Sequence, residues 1–195
     1  MTVWPWPAPA DDGAARHLVR GRAVPDFALP ATTGEYVSLA ARKGRTVLFF
    51  YPWTGRPGLP DPPGWDSIAG AHGSTAEAEG FRDLQSAFAA LDTTVVGVST
   101  QSADYQRELA ERVKLNYALA SDLDFRLSDA LKLPTFETGG MRFLKRLTVV
   151  LLDGRIEQVF YPVHPPDTHA REVLAWLAAR AGCGAEERPR GRCGR

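Results

Sequence analysis

An α/β fold, with a central mixed sheet flanked by helices and a short hairpin ahead of it, is what the sequence predicts. Two continuous apolar runs, Thr46 to Tyr51 and Thr94 to Ser99, read as strands buried on both faces, and each is followed by residues at helical spacing. Asp153-Gly154, between Leu147 to Leu152 and Ile156 to Val163, is the strongest hairpin signal and adds an antiparallel edge.

Residues 1–20 are rich in Pro and then polar, so they read as an extended arm, with Trp4 and Trp6 free to pack on the body or on a partner. Val24 to Leu29 and Tyr36 to Leu39, joined through Thr33-Gly34, predict a hairpin. The first central strand leads into a loop dense in Pro and Gly, residues 52–73, and a loop this long in a compact domain is usually functional. Phe81, Leu84, Phe88 and Leu91 then predict one helix, with Ser74 as its cap and Glu77 completing a capping box. Tyr105, Leu109 and Val113 mark a second helix, Tyr117 to Leu119 a short strand, and Phe125 to Leu131 a short helix stopped by Pro134. The last helix carries Val173, Leu174, Leu177 and Ala178 on one face, with Asp167 or Thr168 as its cap. This order is thioredoxin-like, and it gives one domain over residues 21–181 between the arm and a basic tail, 182–195, expected to be mobile. Chemistry in such a sheet is expected where the first central strand ends and the next helix starts.

Composition narrows the function. The 23 basic and 23 acidic side chains cancel, so no global field favours nucleic acid or an anionic membrane. No apolar run is long enough to span a bilayer and the N-terminus lacks a signal-peptide pattern, so the expected location is the cytoplasm. The only cysteines, Cys183 and Cys193, sit in the tail and make no zinc site. His164 and His169 have no third ligand partner in the pattern and are expected to face solvent, so neither metal nor cofactor is expected.

Val24-Pro25-Asp26-Phe27, Phe50-Tyr51-Pro52, Gly73-Ser74-Thr75-Ala76-Glu77, Gly97-Val98-Ser99, Leu119-Ala120-Ser121-Asp122 and Arg146-Leu147-Thr148 occur in the order seen in peroxiredoxins. Over roughly residues 22 to 180 the chain resembles that family, in its AhpC/TSA and bacterioferritin-comigratory type, within a subgroup that has an enlarged loop before the helix. The resemblance implies thiol-dependent reduction of hydrogen peroxide or organic hydroperoxides, a thioredoxin-like reductant and a homodimer. It implies a catalytic cysteine at position 74, Arg146 beside it, Glu77 orienting Arg146, Thr54 as the peroxide-binding hydroxyl and Pro52 shielding the site. Trp53, His72, Gly73 and Thr75 fall around the same place and would line the substrate pocket. Cys183 and Cys193 are the candidate resolving thiols.

The chain departs from the family at the decisive atom. Ser74 stands where the peroxidatic Cys belongs, Glu79 stands where many relatives carry a resolving Cys, and Ala71-His72 replaces Thr-Pro. A hydroxyl is far less acidic than a thiol and has no sulfenic state, so Ser74 is not expected to reduce peroxide by the family mechanism. A Cys→Ser version of an active enzyme and a natural member without thiol chemistry both fit this sequence. Two further functions stand beside the peroxidase: Cys-free chemistry on a small organic metabolite, and a silent binding protein using the Trp-bearing loop. A serine hydrolase with His72 as base is a poor fit, because Gly-His-Gly-Ser-Thr-Ala is not a nucleophile elbow. Arg146 is expected in an apolar strand, where alternation sends either it or Lys145 inward.

Overall fold

The computed structural model describes residues 4–185, the side chains of 182–185 excepted. In chain order the elements are β1 (Ala28–Pro30), β2 (Tyr36–Ser38), β3 (Arg45–Phe50), α1 (Ser74–Asp83), α2 (Gln85–Ala90), β4 (Thr93–Ser99) and α3 (Ala103–Arg112). They continue with β5 (Ala118–Ser121), α4 (Arg126–Leu131), β6 (Thr135–Thr138), β7 (Met141–Leu144), β8 (Leu147–Leu152), β9 (Arg155–Phe160) and α5 (Pro166–Ala185). The central sheet has five strands in the order β5-β4-β3-β8-β9, with β3, β4 and β5 parallel and β8 and β9 antiparallel to their neighbours. This is the expected mixed α/β sheet, with the predicted hairpin β1-β2 beside it.

The apolar run of β3 is buried on both faces because the sheet is covered on both sides. Leu48 and Phe50 pack with Val96, Val98, Leu127 and Leu144 on one face, while Val47, Phe49 and Tyr51 pack with Phe81, Phe88, Leu109 and Val173 on the other. Gly97 makes the second face possible. A Cβ there would lie 2.5 Å from Leu119 Cδ2 and 2.6 Å from Phe49 Cζ, so the missing side chain gives Phe49 its place. Phe49 in turn stacks on Phe81 at 4.6 Å, which fixes α1 over the end of β3.

Two local expectations are corrected, and one hairpin was not expected. The single helix through Leu91 is two, α1 and α2, because the backbone leaves helical geometry at Leu84 (φ −104, ψ 7) while Phe81 and Phe88 still reach the core. The hairpin β6-β7 has no counterpart in the sequence reading, although Gly139 and Gly140, both at positive φ, form its two-residue turn. Phe136 and Phe143 from that hairpin pack with Trp53, Trp65 and Ile68, so it serves as the seat of the long loop. The last helix begins at Pro166, which suits a first helical position, so Asp167 and Thr168 lie inside it and do not cap it. The Asp153-Gly154 turn has the two positive φ values, 49 and 73, that a type I′ hairpin needs. Among the described residues no helix is long and apolar enough to cross a membrane.

Candidate active site

The end of β3 runs into Tyr51 and Pro52, both buried, and the chain then leaves the sheet for the long loop. It returns through Ala71-His72-Gly73 into α1. Gly73 is the N-cap, at φ 105, and it is enclosed: a Cβ would lie 2.3 Å from Pro166 Cγ and 2.6 Å from Trp4 Cζ2. The capping box is therefore corrected. Ser74 is the first residue of the helix, its side chain makes no cap hydrogen bond, and Glu77 is buried rather than turned back to the helix start. The physical reason is the turn, since only glycine takes this φ without strain, and that moves the cap one residue upstream.

Freed from capping, the Ser74 hydroxyl meets a guanidinium. Arg146 Nη2 donates to Ser74 Oγ at 3.0 Å and also to the carbonyls of His72 (3.1 Å) and Ala71 (3.3 Å). Arg146 Nη1 donates to Glu77 Oε2. Arg146 lies in the link between β7 and β8 rather than within a strand, and it is the inward residue of its pair. Lys145 turns outward to Asp12 Oδ2 at 2.6 Å. The Arg146 and Glu77 side chains are 1% and 0% exposed, so this pair has no water to weaken it. Burial pushes the Glu77 carboxyl above its ordinary range, and the charges of Arg146 and His169 pull it back. Among the described residues, the buried Glu77 Oε1 and Arg146 Nε have no hydrogen-bond partner.

Trp53, His72, Gly73, Ser74 and Thr75 line one cavity of about 390 Å³ at the start of α1. Arg56, Asp61 and Arg112 are the charged residues of its wall, and nothing in the sequence pattern singles them out for the site. Arg56 lies over the Tyr105 ring at 3.9 Å, and Arg112 donates to Gly55 O at 3.2 Å while pairing with Glu108 at 2.7 Å. The one sequence signal for Arg112 is its spacing from Glu108 on the helix. Thr54 is not brought to Ser74 by any hydrogen bond. Gln101 Oε1 accepts from Thr54 N and from Thr54 Oγ1, both at 3.0 Å, and Gln101 Nε2 donates to Thr54 O at 3.2 Å. The Pro52 carbonyl, at the same corner, accepts from Ser99 Oγ at 3.5 Å.

His72 gives its Nε2 to Asp66 Oδ1 at 2.8 Å and its ring face to Trp6, with ring centroids 3.7 Å apart. It makes no hydrogen bond to Ser74, so the pairing a serine nucleophile requires is not formed. His169 is corrected: it is buried, with Nε2 against Thr148 Oγ1 at 2.9 Å and Nδ1 against Glu172 Oε2 at 2.8 Å. Its place on the inner face of α5 decides this, beside Phe81 and Phe160, and His164 alone is exposed. No cluster of three metal-ligating side chains occurs among the described residues. Glu79 lies 3.7 Å from Arg82 on the outside of α1. The Cys183 side chain and all of Cys193, with the tail beyond, lie outside the described residues.

The geometry puts one small polar atom at the positive end of a helix and beside a buried cation. A thiol in that place would be held as a thiolate, because both features favour the anion. A hydroxyl there stays protonated and serves as a hydrogen-bond partner.

Known proteins share this arrangement of elements. A family model described as Redoxin matches residues 20–174. Peroxiredoxin Bcp of Bacillus subtilis is 33% identical over 162 residues, covering 80% of this chain and 93% of its own. Peroxiredoxin Bcp of Escherichia coli is 29% identical over 169 residues, covering 84% and 98%. Among solved structures, peroxidoxin BcpB of Mycobacterium tuberculosis has a TM-score of 0.67 at 32% identity, covering 84% of this chain and 98% of that one. The bacterioferritin comigratory protein of Xanthomonas campestris, described in terms of alkyl peroxide reduction, has a TM-score of 0.67 at 27% identity, with 84% and 98% covered.

Proposed function

Because the chain belongs to the redoxin family, as a peroxiredoxin-like protein of the bacterioferritin-comigratory kind, we propose that its Ser74 cavity is a peroxide-reducing site that needs sulfur at position 74 and is silent with the hydroxyl present. The observation that supports this reading is the 3.0 Å contact from Arg146 Nη2 to Ser74 Oγ at the first residue of α1. With a thiolate there, sulfur attacks the outer oxygen of hydrogen peroxide or an organic hydroperoxide and the O–O bond breaks. Sulfur becomes the sulfenic acid, and the departing oxygen takes a proton from solvent to leave as water or an alcohol. Arg146 stabilises the anion before the attack, and the Nη2 proton directed at residue 74 stands beside the oxygen that joins it. A resolving thiol then condenses with the sulfenic acid, releasing water and forming a disulfide, and a thioredoxin-like dithiol reduces that disulfide to two thiols while becoming a disulfide itself. Ser74 cannot enter this cycle, since oxygen has no sulfenic counterpart.

On this reading Arg146, Glu77 and residue 74 are the reactive group, Pro52, Trp53, His72, Gly73 and Thr75 form the pocket, and Thr54 supplies its hydroxyl when released by Gln101. Residues 21–181 are the working domain, and Cys183 or Cys193 serves as the resolving thiol. The proposed setting is the cytoplasm, where thiol reductants are maintained, and the proposed assembly is a homodimer. The test is peroxide consumption with a thiol reductant by the chain and by Ser74→Cys. Turnover by Ser74→Cys and none by the Ser74 chain is the expected result. An inert Ser74→Cys variant that folds normally would overturn the reading and favour a binding role or thiol-free chemistry.

A further inference from the structure

The N-terminal arm is bound to the same turn that holds Arg146. Trp6 stacks on His72 at 3.7 Å and an interplanar angle of 14°. Gly70 N donates to Pro7 O at 3.2 Å, the Pro9 ring lies against Gly70, and Trp4 lies against Gly73. Each residue of the turn except Ala71 therefore has an arm residue over it. On its other side the turn offers the Ala71 and His72 carbonyls to Arg146 Nη2.

The far end of the arm is fastened next to the same arginine. Asp12 Oδ2 takes Lys145 Nζ at 2.6 Å, and Asp12 Oδ1 takes the Tyr161 hydroxyl at 2.7 Å. Lys145 precedes Arg146 in the chain. Between the arm and the body lies a cavity of about 270 Å³ bounded by Pro9, Asp12, Gly70, Lys145, Arg146 and Tyr161. The arm thus covers a cavity that Arg146 lines and that shares no lining residue with the Ser74 cavity. Prolines at 5, 7 and 9 restrict the unbound arm, so fastening it loses less conformational entropy than a flexible segment would.

We propose that residues 4–13 are a clasp, in which Trp6 and Asp12 act as positioning residues that hold the Gly70–Gly73 turn, and through it Arg146, against residue 74. The inference rests on the reading of Arg146 and residue 74 as the reactive pair, but the clasp itself is tested without peroxide. Amide hydrogen exchange is measured on the Ser74 chain and on Trp6→Ala, Trp6→Phe and Asp12→Asn. Exchange at Gly70 and in the first turn of α1 is expected to rise about three- to tenfold in Trp6→Ala, the loss of one aromatic stack, with Trp6→Phe near the parent and β3 and β4 unchanged. Asp12→Asn, a surface change that leaves the core intact, should raise the same amides.

In the Ser74→Cys background the thiol pKa, read from ultraviolet thiolate absorbance, should move upward in Trp6→Ala and Asp12→Asn and return with Trp6→Phe. Unchanged exchange at the turn, or an equal rise in β3 and β4, would overturn the clasp. An unshifted thiol pKa would overturn the positioning role. A failure of Ser74→Cys to reduce peroxide, with the exchange result intact, would count against the proposed function and leave the clasp standing.

Discussion

Glu77 on α1 and Arg146 between β7 and β8, 69 residues apart in sequence, form an ion pair sealed from solvent at 0% and 1% side-chain exposure. Such a pair adds little over a well-packed apolar core but is costly to break, because the survivor keeps its charge in a dry site. Arg146→Met is expected to cost about 3–5 kcal/mol at neutral pH by urea denaturation. Without the guanidinium the Glu77 carboxyl rises further above its ordinary 4.5. A raised folded pKa contributes stability that is full below the unfolded value and is lost as pH rises through the folded one. The variant should therefore recover stability as pH is lowered into that range, and the double variant Glu77→Leu with Arg146→Met should be milder than Arg146→Met alone.

Gly73→Ala meets two obstacles at once. Its φ of 105 is strained for any residue with a Cβ, and that Cβ would fall 2.3 Å from Pro166 and 2.6 Å from Trp4. A loss of about 2–4 kcal/mol is expected from strain and overpacking together, seen as a lower denaturation midpoint with an unchanged slope.

The Asp12 fastening sets an acid limit on the arm. Hydrogen bonds from Lys145 first, then from Tyr161 and the Ala14 amide, hold the Asp12 carboxyl well below its ordinary 3.8. A depressed folded pKa gives stability that is full above the unfolded value and fades as pH falls through the folded one, so the arm should loosen only below about pH 3.8. Tyr161 works in the opposite direction. Burial and Asp12 push its hydroxyl above its ordinary 10.0, so its contribution is full below 10.0 and fades as pH rises beyond it. Exchange at Gly70 followed against pH should show both limits, and Asp12→Asn should erase the acid one.

Gln101→Leu should release the loop at Thr54. Three hydrogen bonds end, and the Thr54 amide is left buried without its acceptor. The expected cost is about 1–3 kcal/mol, with faster exchange across residues 52–56 and little change in α5.

The sheet was legible because its signals are local. Thr46 to Tyr51 is apolar without a break and Asp153-Gly154 is a turn on its own, so neither needs a distant partner to be read. The start of α1 was misplaced because two rules competed there, a capping serine and a positive-φ glycine, and the glycine prevailed through Trp4 and Pro166, which are remote in sequence. Gly139-Gly140 carried a readable turn signal that the weakly alternating flanks obscured. His169 looked polar and terminal, and its burial follows from how α5 lies across Phe81 and Phe160, which no short window contains. The contact of Arg146 with Ser74 was legible only through resemblance, since nothing in the spacing brings positions 74 and 146 together.

The short stretch from Gly21 to Thr32 touches both rims of the five-stranded sheet. At β9 it exchanges Gly21 N to Ile156 O, Ile156 N to Arg22 O and Val24 N to Gly154 O, and Ala23 pairs with Arg155. At β5 it supplies Thr32 N to Leu119 O, and Ala31 pairs with Ala120. One segment therefore works as a hem, occupying backbone groups at which a foreign strand would otherwise add itself. A foreign strand could reach the Gly154 and Ile156 backbone on one rim and the Leu119 carbonyl on the other only after displacing this segment.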